Sequence, residues 1–338
     1  PVLGLASPSV GGWVEVARTT LGSAGDDITV SSLADKRYYM ILTSALNSGD
    51  ISSFLQMGSG SVDTGSNYAQ RFSSDGAADG SSVNQTKIFC GDNNTSPKFN
   101  VGYIANLSAK EKLYQGWEVM QNTAGAGTAP RRMESTGKWA NTSNPLDTVN
   151  FNNTVSGSYD TGSEVVVLGW DETDTHTTNF WEELASVDLS GGAASSIDSG
   201  TITAKKYLWF QVYVDGSTVN NRMHIRMNGL STGIYADRYN LNGGTDGTDT
   251  SSGSARISDV NDLLPKFVNG FIVNNSANEK LGIAHEVSQN TAGAGTATQR
   301  SESVFKIANT SAQITSLQLI NLSGNWGTGS YFKVWGSD

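Results

Sequence analysis

The sequence of 338 residues is poor in the groups that staple, charge or ligate a protein: one cysteine, three histidines, six prolines and only 16% charged residues. A lone Cys90 excludes an intrachain disulfide, and its place after Ile88-Phe89 marks it as a small buried hydrophobe rather than a nucleophile. The histidines, His176, His224 and His285, show no metal-ligand spacing. No apolar run approaches the length of a membrane-crossing helix, so no membrane contact is expected. Net charge is −10, and basic residues occur only in pairs such as Lys36-Arg37, Arg131-Arg132 and Lys205-Lys206. A nucleic-acid surface needs clustered cations to displace counterions, so that class of partner is excluded. Residues 1–12 lack the basic and apolar regions of a signal peptide and read as an arm ordered by a neighbouring subunit.

What the chain does have is a copy of itself. The stretch Gln121-Asn122-Thr123-Ala124-Gly125-Ala126-Gly127-Thr128-Ala129 recurs identically at 289–297, an offset of 168 residues. The same offset pairs Trp13 with Trp181, Glu111-Lys112-Leu113 with Glu279-Lys280-Leu281, and Glu118 with Glu286. It also pairs Arg132 with Arg300, Glu134 with Glu302, and Lys138 with Lys306. Tyr68-Ala69-Gln70-Arg71-Phe72 matches Tyr235-Ala236-Asp237-Arg238-Tyr239, and the halves end alike at 163–170 and 330–335. A period this long means two whole domains rather than a solenoid. The expected division is an arm at 1–12, a domain at 13–170, a polar linker without apolar anchors at 171–180, and a second domain at 181–338.

Within each half, short apolar runs alternate with Gly/Asn/Asp/Ser turns every 8–12 residues or so, the pattern of an all-β domain. Met223, Ile225 and Met227 alternate with His224 and Arg226, as on a half-buried strand. Tyr207 to Val214 is apolar almost throughout and reads as a central strand. Eight to ten strands per half predict tandem duplicated β-sandwich domains of jelly-roll type.

No catalytic, cofactor or metal site is predicted. Glycoside hydrolysis needs two acids facing one groove, and the paired Glu118/Glu286 and Glu134/Glu302 are instead expected to be duplicated structural residues. Asp246 and Asp249, in an Asp/Gly loop, could offer oxygen ligands to Ca²⁺, but turn chemistry explains them as well. The repeated Gly-rich stretch lacks the lysine and helix of a phosphate loop. Two readings of it stand: a tight turn needing glycine at positive φ, or a hairpin meeting equivalent surfaces in an oligomer. Trp13, Trp181, Trp170 and Trp335 are expected to pack the first and last strands of each half.

Three segments carry a family resemblance: Asp35-Lys36-Arg37-Tyr38-Tyr39-Met40-Ile41-Leu42, Gly65-Ser66-Asn67-Tyr68-Ala69-Gln70-Arg71-Phe72 with the turn at 75–80, and Gly162-Ser163-Glu164-Val165-Val166-Val167-Leu168-Gly169-Trp170. In these the chain resembles virion structural proteins of tailed phages. The resemblance implies a jelly-roll-like domain, a virion location and no enzymatic role. An external capsid decoration protein is the expectation, since an acidic inner shell would be repelled by packaged DNA. Other virion proteins and further copies of the chain, a trimer in the simplest case, are the expected partners. A double jelly-roll shell protein, and a carbohydrate- or receptor-binding tail or fibre protein, are the alternatives. Exposed aromatics over a concave sheet would favour the glycan reading.

Overall fold

The computed structural model describes residues 12–174 and 178–338. The N-terminal arm, apart from Gly12, and His176 lie outside the described residues. The first half contributes β1 Val14–Thr20, β2 Asp27–Val30, β3 Tyr38–Ala45, β4 Ile51–Gly58, β5 Tyr68–Ser74 and β6 Gly80–Gln85. It continues with β7 Ile88–Asn94, β8 Lys98–Ala105, β9 Lys112–Met120, β10 Arg131–Trp139, β11 Thr148–Asn152 and β12 Glu164–Trp170. The second half repeats the series with β13 Glu182–Asp188, β14 Ser196–Asp198, β15 Tyr207–Val214, β16 His224–Met227, β17 Tyr235–Leu241 and β18 Gly247–Ser252. Its last six are β19 Ala255–Arg256, β20 Lys266–Val273, β21 Lys280–Ser288, β22 Gln299–Ile307, β23 Leu317–Ile320 and β24 Tyr331–Ser337. Among the described residues there is no helix.

Each half is a jelly roll carrying an extension. In the first, the order β1-β12-β3-β8 faces β2-β11-β4-β7, which is the two-sheet, doubly Greek-key arrangement of eight strands. Two inserted hairpins, β9-β10 and β5-β6, prolong the first sheet to eight strands. The second half has the same orders, β13-β24-β15-β20-β21-β22-β17-β18 and β14-β23-β16-β19. Both first strands carry a bulge at matching places, Glu15/Ala17 and Glu183/Ala185.

The register corrects one pairing. Leu168 opposes Met40 and Glu15, while Trp335 opposes Trp209 and Glu183. Trp335 is therefore the counterpart of Leu168, and Trp170 that of Ser337. Trp13, Trp170 and Trp335 are half-buried on the outward face of the large sheets, outside the sandwich interiors; Trp181, on the same side, is buried.

Each sandwich closes on its own core, Ile28, Ile41, Leu55, Phe151 and Val167 in one and Ile197, Phe210, Ile225, Leu319 and Phe332 in the other. A third core lies between the two large sheets. It joins Met40, Leu42, Phe99, Val101, Val119, Val166 and Leu168 of the first half to Tyr207, Phe271, Val273, Leu281, Ile283 and Val304 of the second. The molecule is thus four layers deep. This explains the unbroken apolar run of β12: Val165 and Val167 point into the sandwich, and Val166 and Leu168 into the seam. The segment 171–180, expected to be free of apolar anchors, is tied down by buried Phe180 and by ion pairs from Lys36 to Asp174 and from Arg37 to Glu172.

Both interiors hold a duplicated buried charge. Lys98 Nζ donates to the Ile51 carbonyl at 2.7 Å and lies 4.0 Å from Glu118. Lys266 Nζ donates to Val260 and Asn221 carbonyls at 2.7 and 2.8 Å. Burial pushes the carboxyls of Glu118 and Glu286 up, to about 7 and about 8, with the neighbouring lysine pulling the other way. Glu118 and Glu286 thus occupy equivalent buried places in the two halves. Removing one member leaves an uncompensated buried group, so Lys98→Met alone should cost about 3–5 kcal/mol. Lys98→Met with Glu118→Leu should recover most of that loss in urea melts, and a double variant as unstable as the single one would contradict this account.

Candidate functional site: an aromatic trough beside a closed ionic seam

The two copies of the Gly-rich stretch have different fates. Each is the β-hairpin turn of its half, with Gly125 and Gly293 at φ of 84° and 85° and Asn122 and Asn290 at 70° and 62°. The positive-φ turn reading is therefore correct for both. In the first half the turn also docks on the second domain. Lys306 Nζ donates to the Gln121 carbonyl at 3.0 Å and to that of Thr123, Glu279 accepts from the Gly125 amide, and the Ser251 amide donates to the Ala126 carbonyl at 2.8 Å. Ala126 and Ala129 are buried there. The identical turn of the second half stands exposed from Thr291 to Ala297.

Beside this turn lies an ionic seam. Arg132 forks onto Asp246 at 2.8 and 2.9 Å and reaches Glu302 at 3.0 Å and Glu134. Glu134 and Glu302, expected to stay in separate domains, meet across the seam. Burial pushes Glu134 up to about 7, helped by its hydrogen bond to Glu302. Glu302 is also pushed up by burial, but that hydrogen bond and the two guanidiniums of Arg300 and Arg132 bring it below its ordinary range. Two acids with separated pKa values are what a glycosidase would use. The cavity that both border, with Trp117, Arg132 and His285, holds only about 10 Å³, room for one water and no sugar, while Glu134 alone also lines a pocket of about 200 Å³ with Arg71, Asp79 and Gln115. The seam is a structural clamp. Its engagement of Asp246 also removes that residue as a free calcium ligand, while Asp249 pairs with Arg256.

The larger open cavities are elsewhere. On the outward face of the first large sheet, Trp13, Tyr38, Tyr103, Leu113, Gln115, Thr136 and Trp170 line a trough of about 530 Å³. Strand alternation puts them all on one face. Tyr38 and Trp170, cross-strand partners, stack with ring centroids 5.4 Å apart, and Trp13 lies 6.2 Å from Tyr103. Trp13 and Trp170 also border an adjoining trough of about 490 Å³, with Trp181, Trp209, Trp335 and Asn179. Trp209 and Trp335 stack at 4.6 Å. Neither trough is lined by a charged side chain.

A third cavity, of about 680 Å³, lies over the small sheet of the second domain among Arg222, His224, Arg226 and Arg256. Asp259 and Asp249 engage Arg222 and Arg256. Burial, then the three arginines, hold His224 down at about 3, so it is neutral at ordinary pH. The His285 ring lies tilted against Trp117 in the seam, centroids 4.6 Å apart, and Cys90 is buried with its thiol pushed up to about 12 by burial. Among the described residues no three His, Cys, Asp or Glu side chains gather as a metal site would need. Sequence reasoning missed the trough because its members are spread over five strands. Only the outward, same-parity positions of Tyr38, Tyr103, Gln115, Thr136 and Trp170 carried a signal.

No family model matches the chain, and no curated protein does. Solved structures align over much of its length with negligible similarity. They include the attachment invasion locus protein Ail of Yersinia pestis, at 6% identity over 85% of this chain and 99% of that one, with TM-score 0.13. The β domain of the Bordetella autotransporter BrkA aligns at 9% identity over 81% and 100%, with TM-score 0.16. Scores so low carry no statement about fold or activity.

The seam generates two predictions. Arg132→Met strands buried acids and should cost about 3–5 kcal/mol in denaturant melts. Arg300→Met, at the equivalent position with its side chain 56% exposed, should cost under about 1 kcal/mol. Equal losses would mean that the seam is not where Arg132 acts. Because Glu134 has a raised folded pKa, its stabilisation is complete below the unfolded value near 4.5 and is lost as pH rises through about 7. Thermal melts from pH 5 to 8 should show that loss together with the same-signed losses of Glu118 and Glu286, and Glu134→Gln should reduce the slope by its own share; an unchanged slope would exclude Glu134 as a source.

Proposed function

We propose that this chain is a structural protein of a virus particle, in the position of an external decoration protein that attaches through the exposed turn Thr291–Ala297. The observation that supports this reading is the unequal use of one identical element. The first copy makes a specific protein contact with lysine, glutamate and backbone partners, and the second presents the same atoms with no partner from the other domain among the described residues. A turn already built to dock is a ready attachment point for another subunit of the particle, including a further copy of the chain.

The body behind that turn suits the role. Three cores in four layers leave little freedom between the domains, in contrast to the thin polar contacts of domains that move. The net charge of −10 suits an outer surface, away from packaged nucleic acid. Three of the buried or half-buried acids, Glu118, Asp246 and Glu302, are paired with lysine or arginine within the fold.

The experiment compares Gly293→Gln with Gly125→Gln. Neither glycine has a neighbour within 4 Å of an added Cβ, so each substitution strains only the turn. Gly293→Gln should leave the melting temperature within a few degrees of the parent and abolish co-sedimentation with purified particles of the source virus. Gly125→Gln should lower the melting temperature. If the chain is absent from purified particles, or if Gly293→Gln co-sediments as the parent does, the reading is wrong.

A further inference from the structure

The two halves present the same outward face in two situations, covered in one and open in the other. Tyr103, Gln115, Thr136 and Trp170 of the open face correspond in register to Phe271, Ile283, Val304 and Ser337 of the second half. Phe271, Ile283 and Val304 are at most 5% exposed because the first domain covers them. At the three covered positions, Phe271, Ile283 and Val304, the residues are apolar. Where the face is open, a phenol, an amide and a hydroxyl replace apolar groups, and an extra indole is added. A face awaiting a protein partner of the same kind would carry the apolar set. A face merely kept wet has no need of Trp170 stacked on Tyr38.

Rings flanked by neutral hydrogen-bonding groups match a ligand that is apolar on one side and hydroxylated at its rim. We propose that the trough of Trp13, Tyr38, Tyr103, Gln115, Thr136 and Trp170 binds a neutral oligosaccharide. A pyranose ring lays its C–H face on an indole, where the ring's large, flat area is buried at little cost in conformational freedom. The Gln115 amide both donates and accepts, as do the hydroxyls of Thr136 and Tyr103, so they can pair with sugar hydroxyls in either sense. The absence of charged lining residues, on a protein of net charge −10, selects against anionic sugars. The adjoining trough with Trp181, Trp209 and Trp335 continues the surface past Trp13 and Trp170, so more than one sugar unit is accommodated.

The inference is independent of the chain's place on a particle: particle sedimentation tests one reading and sugar binding the other. The test is calorimetric titration of the full chain with maltohexaose, cellohexaose, chitohexaose and mannan, after a glycan array has ranked neutral against sialylated and sulfated probes. At least one neutral probe should bind saturably in the micromolar to millimolar range, with longer oligomers tighter than disaccharides. Trp170→Ala, and separately Gln115→Ile with Thr136→Val, should each weaken that binding at least tenfold. The second variant installs the side chains that already fit the second domain, so it should keep the parent melting temperature. Absence of binding by every neutral probe would overturn the proposal, as would binding unaffected by both variants. Two other occupants would also overturn it. A second copy would appear as a concentration-dependent mass in light scattering that Trp170→Ala abolishes. The chain's own first residues would appear as sugar binding only after deletion of residues 1–11.

Discussion

The outward faces of the two eight-stranded sheets must be buried against each other, and much else follows from that demand. A large sheet with one apolar face can stop at a two-layer sandwich. Here Met40, Leu42, Phe99, Val101, Val166 and Leu168 make the second face apolar too, and only a second large sheet can cover them. Each such side chain is worth about 1.5–3 kcal/mol on full burial, so a dozen or so hold the domains far more firmly than any single ion pair. Arg132 with Asp246, Glu302 and Glu134 then fixes how the faces meet. Charged groups so placed cost much to leave unpaired, and they penalise any shifted arrangement.

The contact is one-sided. It uses the turn at 121–129 of one domain and the Lys306–Glu279 surface of the other, while the second turn and the first domain's trough stay open. A duplicated chain joined by a self-complementary contact would have used both sets. A one-sided contact leaves two different surfaces over, the exposed turn at 291–297 and the aromatic trough. They lie on different domains and make separate demands: backbone geometry at Gly293, ring stacking and neutral polar groups around Trp170.

The all-β class, the duplication and the turn at Gly125 and Gly293 were legible in the sequence, because each depends on local pattern: alternation, a fixed offset, and glycine where φ is positive. The alternation of Met223, Ile225 and Met227 is likewise local, and all three are buried as expected. Misjudged were features that depend on which element lies opposite. Trp335 looked equivalent to Trp170 from its place near the chain's end, but register pairs it with Trp209. The linker looked unanchored because Phe180 is a single apolar residue, and only the neighbouring sheet shows what it packs on.

Sequence alone determined the building block. Period-two patterning, Gly/Asn turns and a repeat of about half the chain permit little besides two similar sandwiches, since those signals act over a few residues at a time. Tertiary structure decided what the blocks do to each other. Leu113 and Leu281 occupy the same place in the same repeat, yet one is 56% exposed and the other 1%. Nothing local distinguishes them. Burial is a property of whatever surface arrives from elsewhere in the chain, and the same holds for the two identical turns, the meeting of Glu134 with Glu302, and the trough left open beside them.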